Sequence, residues 1–240
     1  MKYESMTSGI FLERPNRFIA RVLIDGVECF AHVKNTGRCR ELLIPGATVY
    51  LEDHIQRMGT RKLRYSLIAV EKGTLLVNMD SQAPNQIVAE SLLQGALQLP
   101  GMAPPISFER EKTFGDSRLD FLVKDSLGVV GFIEVKGVTL EEELHCRFPD
   151  APTIRGRKHL DELKRAVGEG YLGYVIFILQ MEGIRSFRPN DEMDVAFGMA
   201  LRYAAAAGVS VLAYDCVVTS GSLSVRKPVP VELSVNSTTK

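Results

Sequence analysis

The chain has 240 residues, of which 45% are hydrophobic and 24% charged, enough apolar material for a folded core and too much for a disordered tail protein. Twenty-nine Lys plus Arg balance 29 Asp plus Glu, so no global positive field exists and contact with nucleic acid has to use a local patch. Cys29, Cys39, Cys146 and Cys216 form no C-x-x-C pair and the four histidines no H-x-x-x-H face, which argues against structural zinc.

From Gly9 to Met79 short alternating segments predict strands at Ile10–Leu12, Phe18–Ile24, Glu28–Val33, Ala47–Leu51, Leu63–Val70 and Leu75–Val77. Asp25-Gly26 between two of them is a hairpin signal, because glycine accepts the positive φ that a two-residue turn requires. Five or so strands in about eighty residues suit an OB-like small barrel over residues 1–82, although an SH3-like barrel reads almost the same. This stretch carries 12 basic and 9 acidic side chains. Lys34, Arg38 and Arg40 surround the turn at Gly37, where cations and backbone donors could hold phosphates; a solvated hairpin is the alternative. Phe30, His32 and Tyr50 are candidate stacking surfaces for bases, with Phe30 and Tyr50 also expected as core.

After Ser81 the rhythm changes to a second, mixed α/β domain over 83–233, with the polar tail 234–240 expected to be disordered. A helix is expected over Pro84–Leu99, stopped by Pro100-Gly101, then strands at Ile106–Lys112, Arg118–Lys124 and Val129–Lys136. In the last of these Glu134 and Lys136 share a face, and an antiparallel neighbour about 4.8 Å away brings Asp120 beside Glu134. Two carboxylates so close repel unless a cation joins them, and Mg²⁺ or Mn²⁺ suits a site of one or two carboxylates completed by water and phosphate oxygens. Asp120 and Glu134 are thus candidate metal ligands, with Glu90 on the preceding helix as a further carboxylate, and Asp120, Glu134 and Lys136 the candidate catalytic set for phosphodiester chemistry. The competing reading is a solvated strand edge. Arg118, two before Asp120, reads as a phosphate clamp or as the ion-pair partner of that aspartate.

A second helix starts near Thr153 and places Leu160, Leu163 and Val167 on one face. Arg155, Arg157 and Lys158 crowd its first turn, where the helix dipole disfavours cations, so an anion should compensate: a nucleic-acid backbone, or Asp150, Asp161 and Glu162. His159 reads as a satisfied structural histidine. A buried parallel strand at Gly173–Gln180, a helix over 192–207 ended by Gly208, and a strand at Val209–Tyr214 complete the domain. No apolar run approaches the ~20 residues of a membrane helix and the start lacks the apolar stretch of a signal peptide, so a cytoplasmic protein is expected.

The order helix, three-strand meander, helix, strand, with Asp on the second strand and Glu-x-Lys on the third, resembles the PD-(D/E)XK nuclease superfamily. The segments NTGRCRELLIPGATVYLE, SRLDFLV, FIEVKGVTL, FPDAPTIRGRKHLDEL and GVSVLAYD resemble, in order and spacing, the sugar fermentation stimulation protein A family. That resemblance implies an OB-like domain, a nuclease-like domain and DNA binding tied to regulation of sugar metabolism. It places the nuclease pattern on Asp120, Glu134 and Lys136, with Glu90 as a fourth member. Two functions stay open: a metal-dependent DNA phosphodiesterase, or a non-catalytic, sequence-nonspecific DNA-binding regulator.

Overall fold

The computed structural model describes residues 1–35 and 37–234. Residues 235–240, most of the tail expected to be disordered, lie outside them.

Six strands build the first unit: β1 (Met6–Asn16), β2 (Ile19–Ile24), β3 (Val27–Val33), β4 (Thr48–Asp53), β5 (Tyr65–Lys72) and β6 (Leu75–Asn78). The sheet runs β3-β2-β1-β4-β5-β6 and closes through a parallel β3–β5 pairing, giving a five-stranded barrel with β6 as an extension. This parallel closure is the order of an OB-fold and resolves the ambiguity with an SH3-like barrel. Asp25 (φ 49°) and Gly26 (φ 79°) form the expected two-residue turn between β2 and β3. Ala20, Val22, Ala31, Val33, Val49 and Leu51 fill the interior, as the period of two along each strand requires. β1 is much longer than its apolar run, because Met6–Ile10 pairs with β4 and Ile10–Asn16 with β2 around bulges after Phe11 and Glu13.

The second unit begins with α1 (Ala83–Leu93), followed by β7 (Ser107–Phe114), β8 (Ser117–Lys124), β9 (Val130–Val138), β10 (Glu141–Glu142), β11 (His145–Phe148), α2 (Ile154–Gly168), β12 (Leu172–Leu179), β13 (Ser186–Pro189), α3 (Val195–Ala206), β14 (Ser210–Thr219) and β15 (Ser222–Pro228). Its central sheet has the order β15-β14-β12-β9-β8-β7, with β9, β12 and β14 parallel and the outer strands antiparallel. One core packs Ile87, Val88 and Leu92 of α1 against Ile133, Val135, Ile176 and Ile178; the other packs Leu160 and Leu163 of α2 and Phe197 and Leu201 of α3 against Val175, Phe177 and Leu179. The core α1-β7-β8-β9-α2-β12 is the helix, meander, helix, strand order expected of a nuclease-like fold.

Three expectations need correction. The first helix stops at Leu93 rather than Leu99, because Gly95 takes φ 66° and ends the helical hydrogen bonding. The third helix starts at Val195, where Asp194 caps it by accepting from the Phe197 amide at 2.9 Å; the same carboxylate accepts from the Thr153 amide before α2. The small sheet β10-β11-β13 and the final hairpin strand β15 were not expected, being short or largely exposed and so without a clear apolar period.

The units meet through polar contacts. The Lys34 ammonium lies 2.5 Å from the buried Asp80 carboxylate, and Gln180 at the end of β12 donates to the Asn78 side chain at 3.0 Å and to the Asp80 carbonyl at 3.1 Å. Removing Lys34 leaves Asp80 charged, buried and without its cation. Lys34→Ala should therefore lower the urea-unfolding free energy by about 3 kcal/mol, the scale for breaking a buried pair by deleting one partner. An unchanged unfolding midpoint would show that the pair does not hold the units together.

Candidate active site

On β9 Ile133 and Val135 face α1, which turns Glu134 and Lys136 toward α2. The Glu134 side chain is only 3% exposed. Its Oε1 accepts from the Lys136 ammonium and from His159 Nδ1 on α2, and its Oε2 has no hydrogen-bond partner among the described residues. Arg155, one helical turn before His159, donates from Nε to His159 Nε2 at 3.4 Å. With Nε2 accepting, the Nδ1 proton is the one aimed at Glu134.

Asp120 arrives opposite Glu134 as the strand register requires, but the backbone ladder between β8 and β9 ends one step earlier, at Phe121–Ile133. From there the Asp120 side chain replaces the backbone: Oδ2 accepts from the Val135 amide at 2.7 Å, and Oδ1 from Asn85 Nδ2 of α1 at 2.8 Å. The same step carries an irregularity on the other side. Glu111 of β7, which faces Asp120 in the register, takes φ 52° and makes no ladder pair with it, while the register runs unshifted from Arg110–Phe121 to Lys112–Leu119. Leu119 and Phe121 enter different cores although their parity is the same. At this step the Asp120 and Glu134 carboxylates lie close enough for the charge of one to act on the other.

The two carboxylates titrate in opposite directions. Burial, reinforced by the charge of Glu134, pushes the Asp120 carboxyl above its usual range. Burial also pushes Glu134 upward, but the His159 hydrogen bond and the Lys136 charge outweigh it and hold this carboxyl below its usual range. Gly137 follows Lys136 because no side chain fits: a Cβ there would lie 2.6 Å from Gln180 Oε1 and 2.8 Å from Pro84 Cγ.

Asp120, Glu134 and Lys136 thus converge as expected, and the structure adds His159, read from sequence as structural, together with Asn85. The Arg155/His159 spacing of four on a helix with a buried face was the available signal. Glu90 sits five residues beyond Asn85, about 7.5 Å of helix rise. Its carboxylate is engaged by the Met1 ammonium at 2.7 Å and by Gln86 at 2.8 Å. Among the described residues no three His, Cys, Asp or Glu side chains cluster as metal ligands. Arg118 pairs with Glu111 at 3.3 Å rather than with Asp120. Lys158 donates to the Asp116 carbonyl at 2.8 Å, and Arg157 lies partly buried on α2. Lys34 is committed to Asp80, whereas Arg38 and Arg40 are exposed. Arg14, not singled out from sequence, shapes their loop by donating to the carbonyls of Asn35, Gly37 and Arg38. Phe30, expected as core, is 53% exposed, while Tyr50 donates to Glu71 at 2.7 Å. Among the described residues no helix is long and apolar enough to cross a membrane.

The sequence model of the sugar fermentation stimulation protein RE domain matches residues 82–222, and that of the SfsA N-terminal OB domain matches residues 12–79. The sugar fermentation stimulation protein homolog of Alkaliphilus oremlandii is 52% identical over 221 residues, covering 91% of this chain and 93% of that protein. The homolog of Desulfitobacterium hafniense strain Y51 is 51% identical over 233 residues, covering 97% and 99%. The solved structure of Pyrococcus furiosus SfsA in complex with Ca²⁺ superposes with a TM-score of 0.85 at 30% identity, covering 97% of this chain and 98% of that one.

The raised pKa of Asp120 has a sign that can be checked. Between the ordinary carboxylate value and the raised one, the folded chain holds more protons than the unfolded chain, so this group's contribution to stability falls as pH rises through that window. In EDTA, Asp120→Asn should melt above the parent at pH 7, and the gap should close on acidification through the usual aspartate range. A gap that widens on acidification would reverse the assignment.

Proposed function

The chain belongs to the sugar fermentation stimulation protein family, and we propose that it binds DNA and is a Mg²⁺- or Mn²⁺-dependent phosphodiesterase with its centre at Asp120, Glu134 and Lys136. The observation that carries this reading is the buried, partnerless Oε2 of Glu134 beside a second carboxylate whose ionisation Glu134 opposes. A divalent cation fits that donor set, since magnesium is held by one or two carboxylates and keeps several waters. The relative from Pyrococcus furiosus in complex with Ca²⁺ supports the same reading. When bound, such a cation supplies acidified water and neutralises charge developing at phosphorus.

The chain's own residues have distinct parts. His159 and Lys136 keep Glu134 ionised by donating to one oxygen, which leaves the other free for a cation. Asn85 and the Val135 amide fix Asp120. Lys136, half of whose task is to pair with Glu134, places the one cation of the set beside the carboxylates, where it can steady charge on a phosphate. Residues 1–82 serve as a docking barrel, with Arg38 and Arg40 contributing phosphate contacts, and 83–233 as the hydrolytic domain. Arg155 is committed to the Glu134 relay, so its contribution to DNA is indirect.

Millimolar Mn²⁺ or Mg²⁺ should raise the melting temperature of the parent, by the equivalent of about 2.7 kcal/mol at a hundred times Kd, and should leave Glu134→Gln unshifted. Labelled DNA should be cut in Mg²⁺ and retained intact in EDTA, and Lys136→Ala should retain DNA without cutting it. Retention without cleavage by the parent in either metal would assign the chain to the non-catalytic, regulatory reading. Equal metal shifts in parent and Glu134→Gln would mean that the carboxylates bind no cation. In a separate test, Arg38→Ala with Arg40→Ala should reduce the slope of log affinity against log salt by about 0.9 per lost duplex phosphate contact, with no loss of thermal stability. A slope equal to the parent's would remove the loop from the DNA surface.

A further inference from the structure

The outer face of the barrel carries exposed aromatic rings among cations, a combination that duplex binding does not require. Along β3 Ala31 and Val33 point inward, which turns Phe30 and His32 outward, and Lys34 follows them just past the strand's end. At the end of the barrel where β3 leaves, Phe18 is 43% exposed and the Arg17 guanidinium lies 4.6 Å from its ring centroid. Arg61, Lys62 and Leu63 join His32 around a shallow cavity of about 240 Å³. Among the described residues Arg17, Arg61 and Lys62 pair with no carboxylate; Arg61 donates instead to Ser66 Oγ at 2.6 Å. The acids of this face are already matched, Glu13 and Glu28 by Arg21 and Asp80 by Lys34. Burial lowers the His32 pKa, and the nearby charges of Arg61 and Lys34 add to the effect, as expected on a face of positive potential.

The row also leads somewhere. Lys34 reaches Asp80, three residues before α1, and Asn85 of that helix holds Asp120. Asn35, next after Lys34, and Gly137, next after Lys136, line one cavity of about 50 Å³. Where the row ends, Asn35 therefore lies beside the strand that carries Glu134 and Lys136.

We propose that this face binds a single-stranded segment of nucleic acid, stacking bases on Phe30 and Phe18 and taking phosphates on Arg17, Arg61 and Lys62, and directs the strand toward Asp120 and Glu134. The proposal rests on the nucleic-acid reading given above and specifies its substrate as single-stranded. A duplex presents phosphates to the same cations, but its bases are stacked on one another and have no free faces for exposed rings; a single strand offers both.

The test measures fluorescence anisotropy in EDTA with three labelled probes: oligo(dT) and oligo(rU) of about 16 nucleotides, the upper site size of one such barrel, and a duplex of mixed sequence and equal length. The parent should bind a single strand more tightly than the duplex. Phe30→Ala and Phe18→Ala should each weaken single-strand binding by about 10-fold, the scale of one stacked base, with duplex affinity and melting temperature unchanged. Phe30→Tyr should restore binding that Phe30→Leu does not, which separates stacking from bulk. Equal losses on strand and duplex, or none on either, overturn the platform while leaving DNA binding in place. A folded parent that retains none of the three probes overturns the platform and the nucleic-acid reading together. The ratio of oligo(dT) to oligo(rU) affinity identifies the sugar.

Discussion

A carboxylate buried as deeply as that of Glu134 stays ionised only if its surroundings replace the water it has lost. Here Lys136, two residues along the same strand, and His159, on the helix packed over that strand, both donate to a single oxygen. Much of the second unit's arrangement serves this contact. The helix must start where Thr153 and Asp194 cap it so that its second turn brings His159 over β9. Leu160 and Leu163 then anchor the helix in the core, which denies it the freedom to move away from the charge. A bare glutamate at this depth would neutralise; the paired one keeps its charge and leaves its second oxygen open.

Asp120 depends on a different device, a local failure of the sheet. If the β8–β9 ladder continued, backbone carbonyls would occupy the Val135 amide and the two strands would stay closed. At Asp120 the ladder stops on both sides, toward Glu134 and toward Glu111, and the aspartate carboxylate takes the amide instead. The price is a carboxylate held next to another negative charge, in keeping with the upward displacement of its pKa. Raised carboxyl pKa values produced by burial and a neighbouring like charge cluster at functional sites, though structural charge networks produce them too.

The two units are coupled by polar groups rather than by an apolar interface alone. Lys34, Asp80, Asn78 and Gln180 satisfy one another across the junction, and Gln180 also presses on Gly137 beside Lys136. Buried polar groups tolerate few alternative arrangements, since each displaced partner leaves a desolvated atom behind. The junction accordingly fixes how the barrel sits against the second unit.

Much of this was legible in the linear chain, and the limits are equally specific. Period-two alternation in 10–79, the Asp25-Gly26 turn and the change to helical spacing after Ser81 are local signals, and they sufficed for a barrel followed by a mixed α/β domain. Asp120, Glu134 and Lys136 could be paired because antiparallel register and side-chain alternation are set by the strand itself. What failed were inferences about partners distant in sequence. Arg118 was placed beside Asp120 by parity, but Glu111 of the neighbouring strand claims it. Glu90 was grouped with the site because it lies on the preceding helix, but the turn of α1 presents Asn85 there. Phe30 was assigned to the core for its hydrophobicity, although barrel closure through β3 and β5 turns it outward, and Lys34 was given to phosphate although Asp80 folds back to claim it. Sequence determined which residues alternate, cap and turn, because those follow from bonds a few residues apart. Only the tertiary structure decided which charges meet, because that depends on how strands pair and which helical face the packing selects.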